Sequence, residues 1–232
     1  MSKKNQSAFT LIEMLVVIAI IATIAAFAVP ALTSALTKGQ MTGTMNNARQ
    51  VYLAGYQMAL DGSSNSDANL AWPGDYAAAT GVTSVTKYVE KLIQNDYLKG
   101  GDLSKLLSAP GSACTATVDN TSSPPTVTSL APKSAVKIYK VKDTDSSNTI
   151  YAATANYTYN TALKTTDAPF GDKGFIIIHK GGDGVVLKKN NATAALGYGG
   201  DNSKFQGGVG KLPGDADGTV STEGATHILT NP

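Results

Sequence analysis

Arginine, cysteine and histidine are nearly missing from this sequence: Arg49 is its single arginine, Cys114 its single cysteine, and His179 and His227 its two histidines. Each shortage excludes something. Net charge is +2 and falls to zero on the side chains once Lys3 and Lys4 are set aside. Nucleic-acid binding needs an array of phosphate contacts, so none is predicted. One cysteine cannot close a disulfide within the chain. The Ser/Thr-rich surroundings of Cys114 mark a loop position, with an intermolecular disulfide or a reactive thiol as the sharper alternative. Two histidines without matching ligands nearby in sequence leave catalysis little to work with. The run Gly207-Gly208-Val209-Gly210-Lys211-Leu212 resembles a phosphate loop only superficially: it lacks the first glycine and the Ser/Thr after lysine. Charge is scarce at 16%, whereas glycine is plentiful at 23 residues, a balance that suits an exported, β-rich domain with long loops.

What the chain does have is one long apolar run near its N-terminus. From Met14 to Thr37 there is no charged side chain, which exceeds the ~20 residues a helix needs to cross a bilayer. Lys3 and Lys4 precede it, and Glu13 sits at its edge. Lysines before the run place the C-terminal part outside the cytoplasm. A carboxylate at the rim of an apolar segment is costly and reads as functional. A conventional secretory signal is cut after its apolar region. Ala25-Ala26-Phe27-Ala28 offers such a site but leaves Glu13 without a role.

The segment Phe9-Thr10-Leu11-Ile12-Glu13, behind a short basic leader and ahead of the apolar run, resembles the N-terminus of type IV prepilins and type II secretion pseudopilins. Pro30 falls where many helices of that family carry a proline. The family usually has glycine before the cut; here the residue is Ala8. The resemblance implies cleavage between Ala8 and Phe9 and N-methylation of Phe9. It also implies a filament in which Glu13 of one subunit meets the Phe9 amine of another, fixing axial register. The expected divisions are a leader over 1–8, a membrane and filament-core helix over 9–36, and the amphipathic half of the helix with a globular domain over 37–232.

Beyond Thr37 the pattern turns amphipathic. Met41, Met45, Ala48, Tyr52, Tyr56, Ala59 and Leu60 recur at intervals of three or four, so the helix is expected to run from Phe9 to about Leu60, stop near Gly62, and pack this stripe on a domain. Pro30 is expected to kink or open it. Trp72-Pro73-Gly74 reads as a turn that pins a loop. Val85, Tyr88, Val89, Leu92, Ile93 and Tyr97 predict a second helix, ending at Lys99-Gly100-Gly101. Asp102 is placed to cap a third, from Leu103 to about Ser108. Residues 111 to 134 show no periodicity. Strands are expected over 135–141 and 149–159, and a hairpin over 174–188 about Gly181-Gly182-Asp183-Gly184. The chain from Asn190 reads as irregular, with a final strand at 226–229.

The fold class is therefore α+β: a pilin-like long N-terminal helical spine packed on a small antiparallel sheet domain with extended loops. The function expected is a structural subunit of a type IV pilus or a type II secretion pseudopilus. The resemblance implies as partners further copies of the chain, other pilin-like subunits, a prepilin peptidase, an inner-membrane platform with its ATPase, and the membrane. It implies single-pass storage in the inner membrane with a periplasmic domain, followed by a periplasmic or surface filament. The alternative is a membrane-tethered binding module or enzyme that never polymerises. Some pseudopilins order a C-terminal loop with calcium, which makes Asp215 and Asp217 candidate ligands, although neither acidic loop has EF-hand spacing.

Overall fold

The computed structural model describes residues 10–76 and 81–231. A helix, α1, runs from Leu11 to Asn65 and continues through Pro30. The chain divides into two units at Gly39/Gln40. In the first, every residue from Leu11 to Leu36 is exposed.

In the second unit, α1 buries Met41, Thr44, Ala48, Val51, Tyr52, Ala54, Gly55, Met58, Ala59 and Gly62. That line departs from the expected stripe. Tyr56 and Leu60 remain 43% and 47% exposed, because the buried face follows small residues that a hydrophobic count passes over. A Cβ on Gly55 would lie 2.2 Å from the Tyr88 hydroxyl, and one on Gly62 would lie 1.6 Å from the Leu70 carbonyl oxygen. Gly62 is thus a close-approach position inside the helix rather than its stop. The stop is Ser66, at φ 54°, with Asp67 N–H donating to the Gly62 carbonyl (2.9 Å) in a 6→1 closure.

Helix α2 (Val85–Gln94) starts on Ser84, whose hydroxyl accepts from Lys87 N–H, and buries Val85, Tyr88, Val89, Leu92 and Ile93 as expected. It ends earlier than Lys99, at a left-handed Asp96. Helix α3 (Leu103–Leu106) is a single turn, and Asp102 makes no capping bond because a 3-10 turn over Gly100–Asp102 precedes it.

Strands β1 (Thr115–Asp119) and β2 (Thr126–Ala131) form a two-stranded hairpin in the stretch without periodicity. Strands β3 (Val136–Ile138), β4 (Ile150–Thr154), β5 (Phe175–His179) and β6 (Gly184–Leu187) form an antiparallel meander in sequence order. The residues of β3, β4 and β5 are buried throughout, so these short strands lack the alternation of a half-exposed sheet. Trp72 is 6% exposed and sits among Tyr52, Tyr56 and Tyr151, ring centroids 5.9–6.4 Å away. Lys180 Nζ lies 5.5 Å over its ring. The turn at Trp72 pins its loop within the subunit.

The C-terminal stretch is more ordered than its composition suggests. It holds α4 (Ala194–Gly197) and α5 (Asn202–Val209), the latter capped by Asp201 Oδ1 on Lys204 N–H (3.0 Å). In place of the expected last strand there are isolated bridges, Tyr139 to Ile228 and Ser84 to Thr230. Polar side chains hold this stretch without a disulfide. Glu223 pairs with Lys137, accepts from the Tyr139 hydroxyl (2.6 Å) and from Tyr159 N–H (3.1 Å), and is almost fully buried. Asn231 and the backbone of Ser134 exchange two bonds (3.0 and 2.9 Å). Gln206 donates to the carbonyls of Ala216 and Thr219 and accepts from Gly218 N–H.

Candidate functional site

The expected site lies at the head of α1. Ala8 and Phe9 fall outside the described residues; Thr10 and Glu13 do not. Thr10 N–H and the Thr10 hydroxyl both donate to Glu13 Oε2, at 2.7 and 2.8 Å, while Glu13 N–H donates back to Thr10 Oγ1 at 3.3 Å. This is a reciprocal capping box, Thr-x-x-Glu, which satisfies helix donors that have no partner within the helix. The signal is legible in Thr10-Leu11-Ile12-Glu13, where the family resemblance points only to a neighbour's amine as the carboxylate's partner. In a single chain, Thr10 holds it.

Behind the cap, the helix surface is dominated by apolar side chains. Leu11, Ile18, Ile21, Ile24, Phe27 and Leu32 are between 60% and 84% exposed. Three of its hydroxyls turn inward: Thr23 donates to the Ala19 carbonyl, Thr33 to Pro30 and Thr37 to Thr33, at 2.8–2.9 Å. Satisfied hydroxyls remove much of the cost of placing threonine in lipid. A helix apolar on all sides requires a solvent of its own kind, either lipid or other such helices.

Elsewhere the candidates resolve into structural roles. His179 is 4% exposed, with Nδ1 2.6 Å from Asp183 Oδ2 and Nε2 3.1 Å from the Val209 carbonyl, joining the β5–β6 turn to the end of α5. Cys114 is buried, and burial pushes its thiol above the ordinary range, away from the thiolate that reactivity requires. Asp215 accepts from Ser221 N–H (3.2 Å), and Asp217 is held by Lys211 Nζ (2.7 Å). Lys211 competes with any cation for Asp217 Oδ1. Among the described residues, no three His, Cys, Asp or Glu side chains converge as a metal site. One surface groove, of about 700 Å³, is lined mostly by small residues with Lys133 and Asp167 as its charged members.

Comparison with known proteins agrees with this geometry. A family described as the prokaryotic N-terminal methylation motif matches residues 3–29. The chain is 35% identical over 114 residues to fimbrial protein EcpC of Eikenella corrodens, an alignment spanning 49% of this chain and 70% of that protein. It is 32% identical over 88 residues to the type IV major fimbrial protein FimA of Dichelobacter nodosus, spanning 35% of this chain and 56% of that one. No solved structure matches. An anchored helix with a capped carboxylate at its head and a small antiparallel domain behind it defines a filament subunit. The chain belongs to the type IV fimbrial protein, or pilin, family. It is a structural subunit of the pilin and pseudopilin type.

Proposed function

We propose that the chain is stored in the inner membrane as a single-pass protein with its domain in the periplasm. There it is cut between Ala8 and Phe9, N-methylated on Phe9, and polymerised into a helical filament by a prepilin peptidase, a membrane platform and its ATPase. The observation that carries this reading is the capped Glu13 beside an apolar helix exposed on every side. Cleavage would leave a charged amine on Phe9. Amine and carboxylate are each expensive alone in an apolar bundle, and pairing between neighbouring subunits relieves both. One axial offset satisfies the pair, so Glu13 acts as a gauge of register. Thr10 is the positioning residue: it fixes Oε2 at the helix head before the neighbour arrives. Cohesion along the rest of the helix comes from van der Waals packing of side chains such as Leu15, Ile18 and Ala22.

Mass spectrometry of the N-terminus, in sheared surface material and in membranes, tests the reading. A chain beginning at methylated Phe9 in sheared material is the expected result for a pilus. The same form confined to membranes favours a pseudopilus subunit or a minor pilin. An unprocessed N-terminus in every fraction would leave a tethered module and defeat the proposal.

A further inference from the structure

The β5–β6 hairpin lies along α1 in a defined direction. A Cβ on Gly182, at its closed end, would sit 3.0 Å from the Tyr52 ring, and one on Gly184 would sit 3.0 Å from Met45. A Cβ on Gly174, at its open end, would sit 3.1 Å from Met41 Cε. The open end is therefore at the first buried residue of the domain. Phe175 pairs with Leu187, so continuing that register sets Lys173 across from Lys189, with Lys188 beside Gly174. Lys173, Lys188 and Lys189 are all exposed, and Lys164 is exposed in the loop folded back on Gly171. The opposing charges are Asp172, which accepts from Lys189 Nζ at 2.7 Å, and Asp167.

Connectivity says what this end of the domain is near. Met41 is four residues past Thr37, where the charge-free run stops, and four residues of chain reach at most ~14 Å. The hairpin's open end is thus tethered within one or two headgroup layers of a membrane that holds the run. We infer that Lys173 and Lys188, with Lys189 partly neutralised by Asp172, form a contact for anionic lipid headgroups while the subunit waits in the membrane. The inference rests on the membrane-stored state proposed above. A lysine is drawn to an anionic surface, an attraction that falls off over a Debye length of ~8 Å at physiological salt. Two such contacts would hold the domain down on the bilayer and release it on transfer to a filament.

The test is hydrogen exchange of the full chain in nanodiscs of phosphatidylcholine alone, or with about a third phosphatidylglycerol. Exchange over 171–174 and 187–190 is expected to slow several-fold in the anionic discs. It should return to the neutral-disc rate in about 0.5 M salt and in the Lys173→Gln/Lys188→Gln variant, with α5 unchanged throughout as reference. Equal rates in both discs, or slowing that survives the double substitution, would overturn the inference and leave the lysines to a neighbouring subunit. A chain that enters neither disc would overturn this inference together with the membrane reading. Entry into both discs without charge dependence overturns this inference alone.

Discussion

Glu223 is the residue whose removal the structure makes most costly. Its carboxylate is matched by Lys137 Nζ, the Tyr139 hydroxyl and Tyr159 N–H, and the Lys137 and Glu223 side chains are 9% and 5% exposed. Glu223→Ala leaves a buried ammonium without its counter-charge and two donors without an acceptor. Breaking a buried pair from one side costs about 3–5 kcal/mol, and each orphaned donor about 1–3 kcal/mol where water cannot reach it. Relaxation of the loop returns part of this, so the expected loss is about 4 kcal/mol. Trp72, the only tryptophan and packed among tyrosines, provides the probe: urea unfolding of the detergent-solubilised chain is followed by its fluorescence. Burial lowers the Lys137 pKa despite the attraction of Glu223, which means desolvation outweighs the pair. It follows that the Lys137→Met/Glu223→Leu double variant should recover the part of the loss that comes from the unpaired ammonium, while the Tyr139 hydroxyl and Tyr159 N–H stay without an acceptor. A loss below about 1 kcal/mol for Glu223→Ala would refute the reasoning, since it would make the pair equivalent to one in solvent.

Three further predictions follow from the same geometry. Gly62→Ala, which drives a Cβ into the Leu70 carbonyl, should cost about 3 kcal/mol or more. Gly43→Ala, with nothing within 4 Å, should instead stabilise α1 by up to about 1 kcal/mol; the two unfolding midpoints should move in opposite directions. Burial raises the pKa of Tyr88, Tyr139 and Tyr151, and Tyr97 is pushed up to about 12 by desolvation and its bond to Asp61. A raised phenol stabilises fully below its unfolded pKa of about 10 and loses that contribution as pH climbs through the folded value. Lys137, whose pKa is lowered, works in the opposite sense but is outnumbered. Stability should therefore fall steeply above about pH 10, with these tyrosines ionising together with unfolding when absorbance at 295 nm is followed. Tyrosines ionising well before unfolding would contradict their burial. Finally, with Asp217 held by Lys211 and Asp215 by Ser221 N–H, about 1 mM calcium should leave the melting temperature in place, because a ligand that binds the folded chain would raise it. A clear rise would mean that the loop rearranges around the ion.

The helical spine, α2 and the β5–β6 hairpin were legible because each rests on a local pattern. Charge is absent from Met14 to Thr37, Val85, Tyr88, Val89, Leu92 and Ile93 recur at helical spacing, and a Gly-Gly-Asp-Gly turn separates two apolar runs. The misses share a different cause. Tyr56 and Leu60 were assigned to the core by hydrophobicity, whereas Gly55 and Gly62 lie there because they admit Tyr88 and Leu70. The β1–β2 hairpin is built from Thr115-Ala116-Thr117-Val118 and Thr126-Val127-Thr128-Ser129, whose alternation is between threonine and small apolar residues and so carries little contrast. Glycines at 207 and 208 concealed α5, which is held by the Asp201 cap and by burial of Phe205, Gln206 and Val209. Glu223 had no local signal at all. Its partners Lys137, Tyr139 and Tyr159 are 64 to 86 residues away, a distance that only the fold closes.

The central claim is that Glu13 sets register between subunits. Its most direct test is the amount of sheared filament from Glu13→Ala, measured in cells whose membrane-bound chain is verified to begin at Phe9. The account predicts a processed, stable subunit that stays in the membrane and is missing from the sheared fraction, or yields only short, irregular filaments. Filaments of normal amount and regular subunit spacing from Glu13→Ala would contradict it.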